Sequence, residues 1–422
     1  MTYCLITVAS ALNKETLEYC KTVRKLLVDK FKDLNVKVKG LVLKIEDVNS
    51  LSFGNFKGLI IAVATGGTEK MILKLHDKSR LPILLIATSL SNSLAASLEV
   101  SAALKKLHAV SKILYYDFWE QVNADEVFSN MKLLETYSSI INARIGLVGD
   151  PSPWLVASSV NLENLRDKLR IEFVKIELEE LYAEYEKARI ASHDRKAIEK
   201  LLSMSKKVDI KHSDLMKAYR LYKALKNLAR KYRLDGLTIR CFDLVLEKGV
   251  TACLALSLLN SEGVIAGCEG DQQAVLTMLI LSRISGEPCW MANPVRINKS
   301  SNELFLAHCT VPLKIVKFYK LNTHYETGLS VGIDGEISSK TAVTVARINE
   351  DVSKILLAKG VIVDSSMGYE KYCRTQVKVK IIGDVERLLD KSFGNHLVMV
   401  LGDHEEQLKN FAEMFGIEIV EL

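Results

Sequence analysis

The sequence predicts an α/β protein: two doubly wound parallel α/β domains followed by a mostly antiparallel β domain. Three observations carry this. Short, continuously apolar runs alternate with helical spacings over the first 140 or so residues, the pattern of a parallel sheet covered on both faces. The same alternation restarts at Ala143-Arg-Ile-Gly-Leu-Val-Gly149. Beyond Pro294 strands follow one another across short turns with little helix between them. At 422 residues the chain exceeds the usual size of one hydrophobic core, so several domains are expected.

In the first domain, expected to span residues 1–142, Leu5–Ala9 is a β-rich run. Leu17, Val23, Leu26, Leu27 and Phe31 then fall at helical spacing. Further strands are expected at Val36–Leu43, Leu59–Ala64 and Ile83–Ala87. The last two end in the polar turns Thr65-Gly-Gly-Thr-Glu69 and Thr88-Ser-Leu-Ser-Asn-Ser93, each leading into a helix. Neither turn is a phosphate-loop motif; helix capping is the plainer reading, and the alternative is that both line a polar, ligand-binding crevice at the carboxyl edge of the sheet. The second domain, expected at 143–294, continues through Asp150-Pro-Ser-Pro-Trp154, a strand at Phe173–Ile176 and nearly continuous helix from Leu178 to Tyr232. Breaks are expected near Ser192 and Asp209. A strand at Leu237–Cys241, a helix at Thr251–Asn260 and a strand at Gly263–Gly267 follow. The third domain, 295–422, holds predicted strands at Glu303–Cys309, Ile315–Tyr319, Leu329–Ile333, Ala342–Ile348, Gly360–Val363, Gln376–Ile381 and Leu397–Leu401. It closes with a helix at Glu405–Met414 and a strand at Ile417–Val420.

Composition excludes several classes. With 48% hydrophobic and 26% charged residues the chain is neither disordered nor fibrous. The net charge is +6, and residues 206–233 alone hold ten Lys/Arg against two Asp, so the basic bias belongs to one helical segment. That segment carries no nucleic-acid-binding motif, and no nucleic-acid partner is expected. Eight scattered cysteines without a CxxC pair read as buried reduced thiols. The N-terminus reads as a first strand rather than a signal peptide, and no apolar run reaches membrane-spanning length. A cytoplasmic protein without a membrane partner is expected.

Chemistry concentrates in three places. In Ala266-Gly-Cys-Glu-Gly-Asp271 a short strand runs into a helix that ends at Gly286, placing Glu269 and Asp271 at the helix N-terminus. A carboxylate there is stabilised as the anion by free N–H groups and the helix dipole. In Glu303-Leu-Phe-Leu-Ala-His-Cys-Thr310, His308 closes a strand beside Thr310. In Phe393-Gly-Asn-His396, a turn delivers His396 to the start of an apolar strand. Two carboxylates and two strand-end histidines form an oxygen/nitrogen donor set suited to Mn²⁺ or a similar divalent ion. Arg240 and Asp243, near a strand end, suit either a sugar contact or an internal ion pair. Trp290 suits a core position better than a stacking platform.

Cys268-Glu-Gly-Asp271, Leu276-Thr-Met278, Ser285-Gly-Glu-Pro288, Ala307-His-Cys-Thr-x-Pro312, Gly394-Asn-His396 and Ile239-Arg-Cys-Phe-Asp243 together resemble the L-fucose isomerase-like family. Its wider superfamily includes L-arabinose isomerase. The resemblance implies two α/β domains and a C-terminal β domain. It implies an Mn²⁺-dependent aldose–ketose isomerase acting on a small sugar through an ene-diolate. It also implies a homo-oligomer with the active site near a subunit interface. By position it assigns Glu269, His308 and His396 to the metal and Glu269 and Asp271 to proton transfer. Arg240, Asn293, Thr310 and Asn395 are the expected substrate contacts. One position departs from the fucose isomerase pattern: Met291-Ala-Asn-Pro294 carries neutral Asn293 where an acidic residue is expected. An amide oxygen can coordinate a cation, but the group cannot act as a base. A non-catalytic sugar-binding or regulatory protein on the same scaffold, or a lyase or epimerase using the same ene-diolate chemistry, are the alternative readings.

Overall fold

The computed structural model describes residues 2–10 and 13–422. The chain forms two compact units, residues 1–139 and 140–422.

The first unit contains β1 (Thr2–Val8), β2 (Val36–Val42), β3 (Phe56–Val63), β4 (Ile83–Thr88) and β5 (Ser111–Tyr116). They form one parallel sheet in the order β2-β1-β3-β4-β5. Helices follow β1, β3 and β4, at Lys14–Phe31, Glu69–Ser79 and Ser93–Lys106. Ile6, Val8, Ile61, Val63 and Leu85 of the sheet pack with Ile72 and Val100 of the helices, without exposure to solvent. This is the expected doubly wound arrangement. β5 was absent from the sequence expectation because Ser111-Lys-Ile-Leu-Tyr-Tyr116 is a partly exposed edge strand with little apolar continuity. The Thr65–Thr68 turn spends its polar groups internally: Thr65 Oγ1 accepts from Ser10 N–H and Gly66 N–H donates to Ser91 carbonyl, both at 2.7 Å.

In the second unit the strands are β6 (Arg144–Val148), β7 (Glu172–Ile176), β8 (Lys207–Val208), β9 (Gly236–Ile239) and β10 (Ile265–Cys268). They continue with β11 (Trp290–Asn298), β12 (Glu303–His308), β13 (Phe318–Asn322), β14 (Gly332–Glu336) and β15 (Ala342–Ile348). The last four are β16 (Lys354–Ser365), β17 (Thr375–Ile382), β18 (Leu397–Leu401) and β19 (Glu418–Glu421). Strands β10-β9-β6-β7 form a parallel sheet. Its order reverses direction between β6 and β9, so the loops leaving their carboxyl ends open the crevice where such sheets bind ligands.

The C-terminal strands do more than form an antiparallel sheet. The order β15-β18-β11-β12-β17-β16 closes on itself through β15–β16 pairing, giving a barrel with β19 added in parallel along β16. Closure leaves no long unpaired edge among these strands. The barrel's β11 begins at Trp290, so Pro294, expected near a domain boundary, lies inside a strand. The β11–β12 register shifts between Pro294 and Arg296, where the missing proline N–H is accommodated. Trp290 is a fully buried core side chain. The segment 178–232 is helical as expected, with the helices Leu178–Lys187, Ser192–Met204 and His212–Tyr232.

One helix ties the parallel sheet to the barrel. Gln272–Ser285 packs against β10 on one side and β15 and β18 on the other, and every residue from Gln272 to Leu281 is buried. A helix that is buried all round needs no polar face. Its start is marked by Asp271, whose carboxylate accepts from Ala274 N–H at 2.7 Å, and its end by Gly286 at φ +73°. Among the described residues no helix is long and apolar enough to cross a membrane.

Candidate active site

The candidate site lies where the carboxyl end of the parallel sheet meets the barrel. Glu269 leaves the end of β10 at φ +62° and Gly270 follows at φ +72°, so the chain turns through two consecutive left-handed residues before Asp271 caps the helix. A left-handed non-glycine residue costs roughly 1–2 kcal/mol, which the surrounding contacts must hold in place. Ser152 N–H donates to the Glu269 carbonyl at 2.8 Å and Gly270 N–H to the Ile239 carbonyl at 3.0 Å. The loop after β6 therefore supports this turn directly. A Cβ on Gly270 would sit 2.7 Å from Pro151 Cα, so only glycine fits.

Glu269, His308 and His396 each offer a ligand atom, and these three atoms lie within 4.8 Å of one another. All three residues are buried. His308 ends β12, and His396 immediately precedes β18. His308 and His396 meet edge to face, with ring centroids 5.5 Å apart. His396 Nδ1 lies 2.9 Å from Asp271 Oδ2, which leaves its Nε2 facing Glu269 Oε1 at 3.5 Å. His308 Nδ1 lies 2.9 Å from Thr310 Oγ1. Both imidazoles are thus oriented through Nδ1 and keep Nε2 for a ligand, the arrangement metal-binding histidines adopt. His396 Nε2 is buried without a hydrogen-bond partner among the described residues, and so is Asn293 Oδ1. A carboxylate and two imidazoles could hold a divalent metal ion, and the unpartnered amide oxygen of Asn293 is a further oxygen donor.

Charge is distributed unevenly over these groups. Burial opposes ionisation of Glu269, but His396, His308 and the Trp154 indole outweigh it and hold the carboxyl below its usual range. Burial likewise opposes the Asp271 anion, and Arg347 and His396 overcome it. Burial and the neighbouring His396 lower His308 to about 4. In His396 burial works against the proton, yet the hydrogen bond to Asp271 and the negative charge of Glu269, 3.5 Å from Nε2, prevail and raise it to about 9.

Glu269, Asn293 and His308 line a cavity with about 420 Å³ of empty space, including its mouth. The other five expected site residues do not line this cavity, although Thr310 and His396 lie directly against His308 and Glu269, which do. Asp271 is fully buried and does not line the cavity. Its carboxylate is shared among Ala274 N–H, the Arg347 guanidinium and the His396 ring. The Arg240 side chain pairs with Asp243 at 2.8 Å and does not line the cavity either, so the internal ion pair is what forms. Asn395 is exposed at its turn.

Several residues here escaped the sequence reading. Trp154 Nε1 donates to Glu269 Oε2 at 2.6 Å, although the indole is half exposed. Its ring packs edge-on against Phe242, which in turn meets His324. Arg347 lies wholly buried 3.0 Å from Asp271. Cys241, Cys253, Cys268, Cys309 and Cys373 line the cavity, with the Cys241 and Cys268 sulfurs 3.1 Å apart. Seven of the eight cysteines are buried and Cys373 is half-buried, none is in a disulfide, and five of the eight line this one cavity. Residues so far apart in sequence carry no local signal of convergence. The Pro-Ser-Pro-Trp154 turn was the one hint available.

No family model matches the chain. It is 22% identical over 346 residues to the sulfoquinovose isomerase of Alkalicoccus urumqiensis, covering 78% of this chain and 76% of that protein. A sulfoquinovose isomerase of Clostridium sp. (strain MSTE9) is 24% identical over 243 residues, covering 53% and 52% of the two chains. That of Priestia aryabhattai is 22% identical over 320 residues, covering 71% and 69%. The chain is an aldose–ketose sugar isomerase. Its reaction class is therefore intramolecular oxidoreduction, in which a sugar's carbonyl and neighbouring carbinol exchange oxidation level.

Proposed function

We propose that this isomerase is metal-dependent, with Glu269, His308 and His396 holding Mn²⁺ or a similar divalent ion and Asn293 available as an oxygen ligand. The observation that carries the reading is the convergence of three buried donor atoms within 4.8 Å. When bound, such an ion supplies a Lewis acid that polarises adjacent sugar oxygens and stabilises the charge of an ene-diolate. Glu269, anionic and held by Trp154, is the carboxylate that takes the C2 proton of an aldose and returns it to C1. Asp271 acts through His396: it fixes the ring so that Nε2 faces Glu269. Asp271 is thus a positioning residue here rather than a proton carrier. Thr310 plays the same part for His308. On the family resemblance, the enzyme works as a cytoplasmic homo-oligomer with its active site near a subunit interface.

The substrate is a small aldose. The relatives are named for sulfoquinovose, a sulfonated sugar, whereas among the described residues no lysine or arginine lines the cavity. The decisive measurement is deuterium incorporation from D₂O at C1 or C2 with added Mn²⁺. The aldose panel includes sulfoquinovose and uncharged hexoses and deoxyhexoses. Incorporation and ketose formation with at least one sugar are expected. Absence with every sugar would refute the isomerase mechanism as stated. Calorimetric titration with Mn²⁺ tests the metal separately, since Glu269→Gln should abolish the tight binding seen in wild type. Tight sugar binding without metal or turnover would instead favour a sugar-binding role.

A further inference from the structure

Aldose–ketose interchange moves two protons, one from C2 to C1 and one from O2 to O1. Asn293 cannot carry a proton as a carboxylate does, and Asp271 is enclosed behind His396. We infer that Glu326 is the second proton-transfer group of this cavity, serving the substrate oxygens while Glu269 serves the carbons. The inference rests on the isomerase mechanism proposed above.

Among the described residues, Glu269 and Glu326 are the two carboxylates that line the cavity. Glu326 stands on a tight turn between β13 and β14. His324 N–H donates to the Leu329 carbonyl and Gly328 N–H to the His324 carbonyl, both at 2.9 Å. Thr327 Oγ1 meets His324 Nδ1 at 3.1 Å and accepts from Leu329 N–H at 3.3 Å. These bonds fix the backbone of the turn and the His324 ring, which also lines the cavity and packs against Phe242. Among the described residues no side-chain hydrogen bond contributes at the Glu326 carboxylate, whereas Trp154 donates to that of Glu269. Burial raises its pKa above the usual value, His324 opposes that shift, and Glu269 adds to it. Two carboxylates thus line one cavity, Glu269 held by the Trp154 indole and Glu326 carried on a braced turn, so a substrate there meets both.

The step balances. As the C2–H bond breaks, its proton passes to Glu269 and its electron pair forms the C1=C2 bond. The C1–O1 π pair moves onto O1, which takes a proton from Glu326. In the second half Glu326 regains a proton from O2, the C2=O2 bond forms, and C1 receives the proton held by Glu269. Both carboxyl groups finish as they began, and no oxidant or reductant is consumed.

The test uses the full chain with Mn²⁺ and a sugar that wild type turns over. Glu326→Gln is expected to lower kcat by roughly 100- to 10,000-fold, with KM and Mn²⁺ affinity within about threefold of wild type. Glu326→Asp should recover part of that loss, and equal Mn²⁺ affinity and thermal midpoints would show that both variants fold. Glu326→Gln turning over within about threefold of wild type overturns the inference. So does a comparable fall in kcat seen for His324→Gln alone, because the proton carrier would then be the histidine. If wild type turns over no sugar, the isomerase mechanism fails and this inference with it.

Discussion

Asp271 Oδ2 lies 2.9 Å from His396 Nδ1, and both side chains are fully excluded from solvent. The same carboxylate meets the Arg347 guanidinium at 3.0 Å, and Arg347 is itself wholly buried. Arg347 reaches further, to Ser158 Oγ at 2.9 Å and to the His396 carbonyl, so one guanidinium braces the loop after β6, the helix cap and the turn before β18.

Breaking this cluster by removing one partner leaves a buried charge uncompensated. Asp271→Asn is expected to lower unfolding stability by about 3–5 kcal/mol, measured by urea denaturation. It also frees the His396 ring, so Mn²⁺ affinity should fall by roughly 10- to 100-fold in calorimetric titration. A stable variant with unchanged affinity would show that Asp271 does not orient the histidine.

Asn293 faces the cavity with an unpartnered buried oxygen, at the position where the fucose isomerase pattern has an acid. Asn293→Asp adds an anion beside Glu269 and the two histidines. Since ligand charge strongly tunes the affinity of a hard cation, Mn²⁺ should bind about tenfold tighter or more. Weaker binding would mean that this side chain takes no part in coordination.

The two histidines set opposite pH limits on the metal-free fold. His396 rises from 6.5 to about 9 on folding, so its stabilisation is complete below pH 6.5 and is lost as pH climbs through about 9. His308 drops from 6.5 to about 4, so stability falls as pH decreases from 6.5 towards 4, where the unfolded chain alone binds the proton. Each contribution is at most about 3 kcal/mol, and stability measured in EDTA should peak near pH 6.5. Metal binding needs the Nε2 proton of His396 removed, so Mn²⁺ affinity should rise from pH 7 to 9 with proton release. A flat affinity across that range would contradict the raised His396.

Gly270→Ala tests the turn that delivers Glu269. A methyl group there meets Pro151 backbone at 2.7 Å and forces a left-handed residue to carry a Cβ. A loss of about 2–4 kcal/mol is expected in chemical denaturation. Gly286→Ala, left-handed but with open space around its Cβ position, should cost only the conformational part, about 1–2 kcal/mol.

Much of this protein was legible in its sequence. Apolar runs between helical spacings announce the parallel sheets, because a strand buried on both faces cannot afford polar alternation. Asp271 and Gly286 bracket the site helix through capping rules that need no tertiary information. Glu269, His308 and His396 were legible as donors because each lies at a strand end or helix start, where side chains are free of the ladder. Tertiary structure alone decided the rest. Closure of the barrel depends on β15 meeting β16 as well as β18, a pairing that strand patterns do not encode. Whether a carboxylate faces the cavity or the core depends on its neighbours across the chain. Arg347, 76 residues from Asp271, draws that carboxylate inward, while Trp154, 115 residues from Glu269, holds the other at the cavity. Periodicity reports which face of an element is buried, but burial of a charge is settled by the partner that compensates it, and that partner is chosen by the fold.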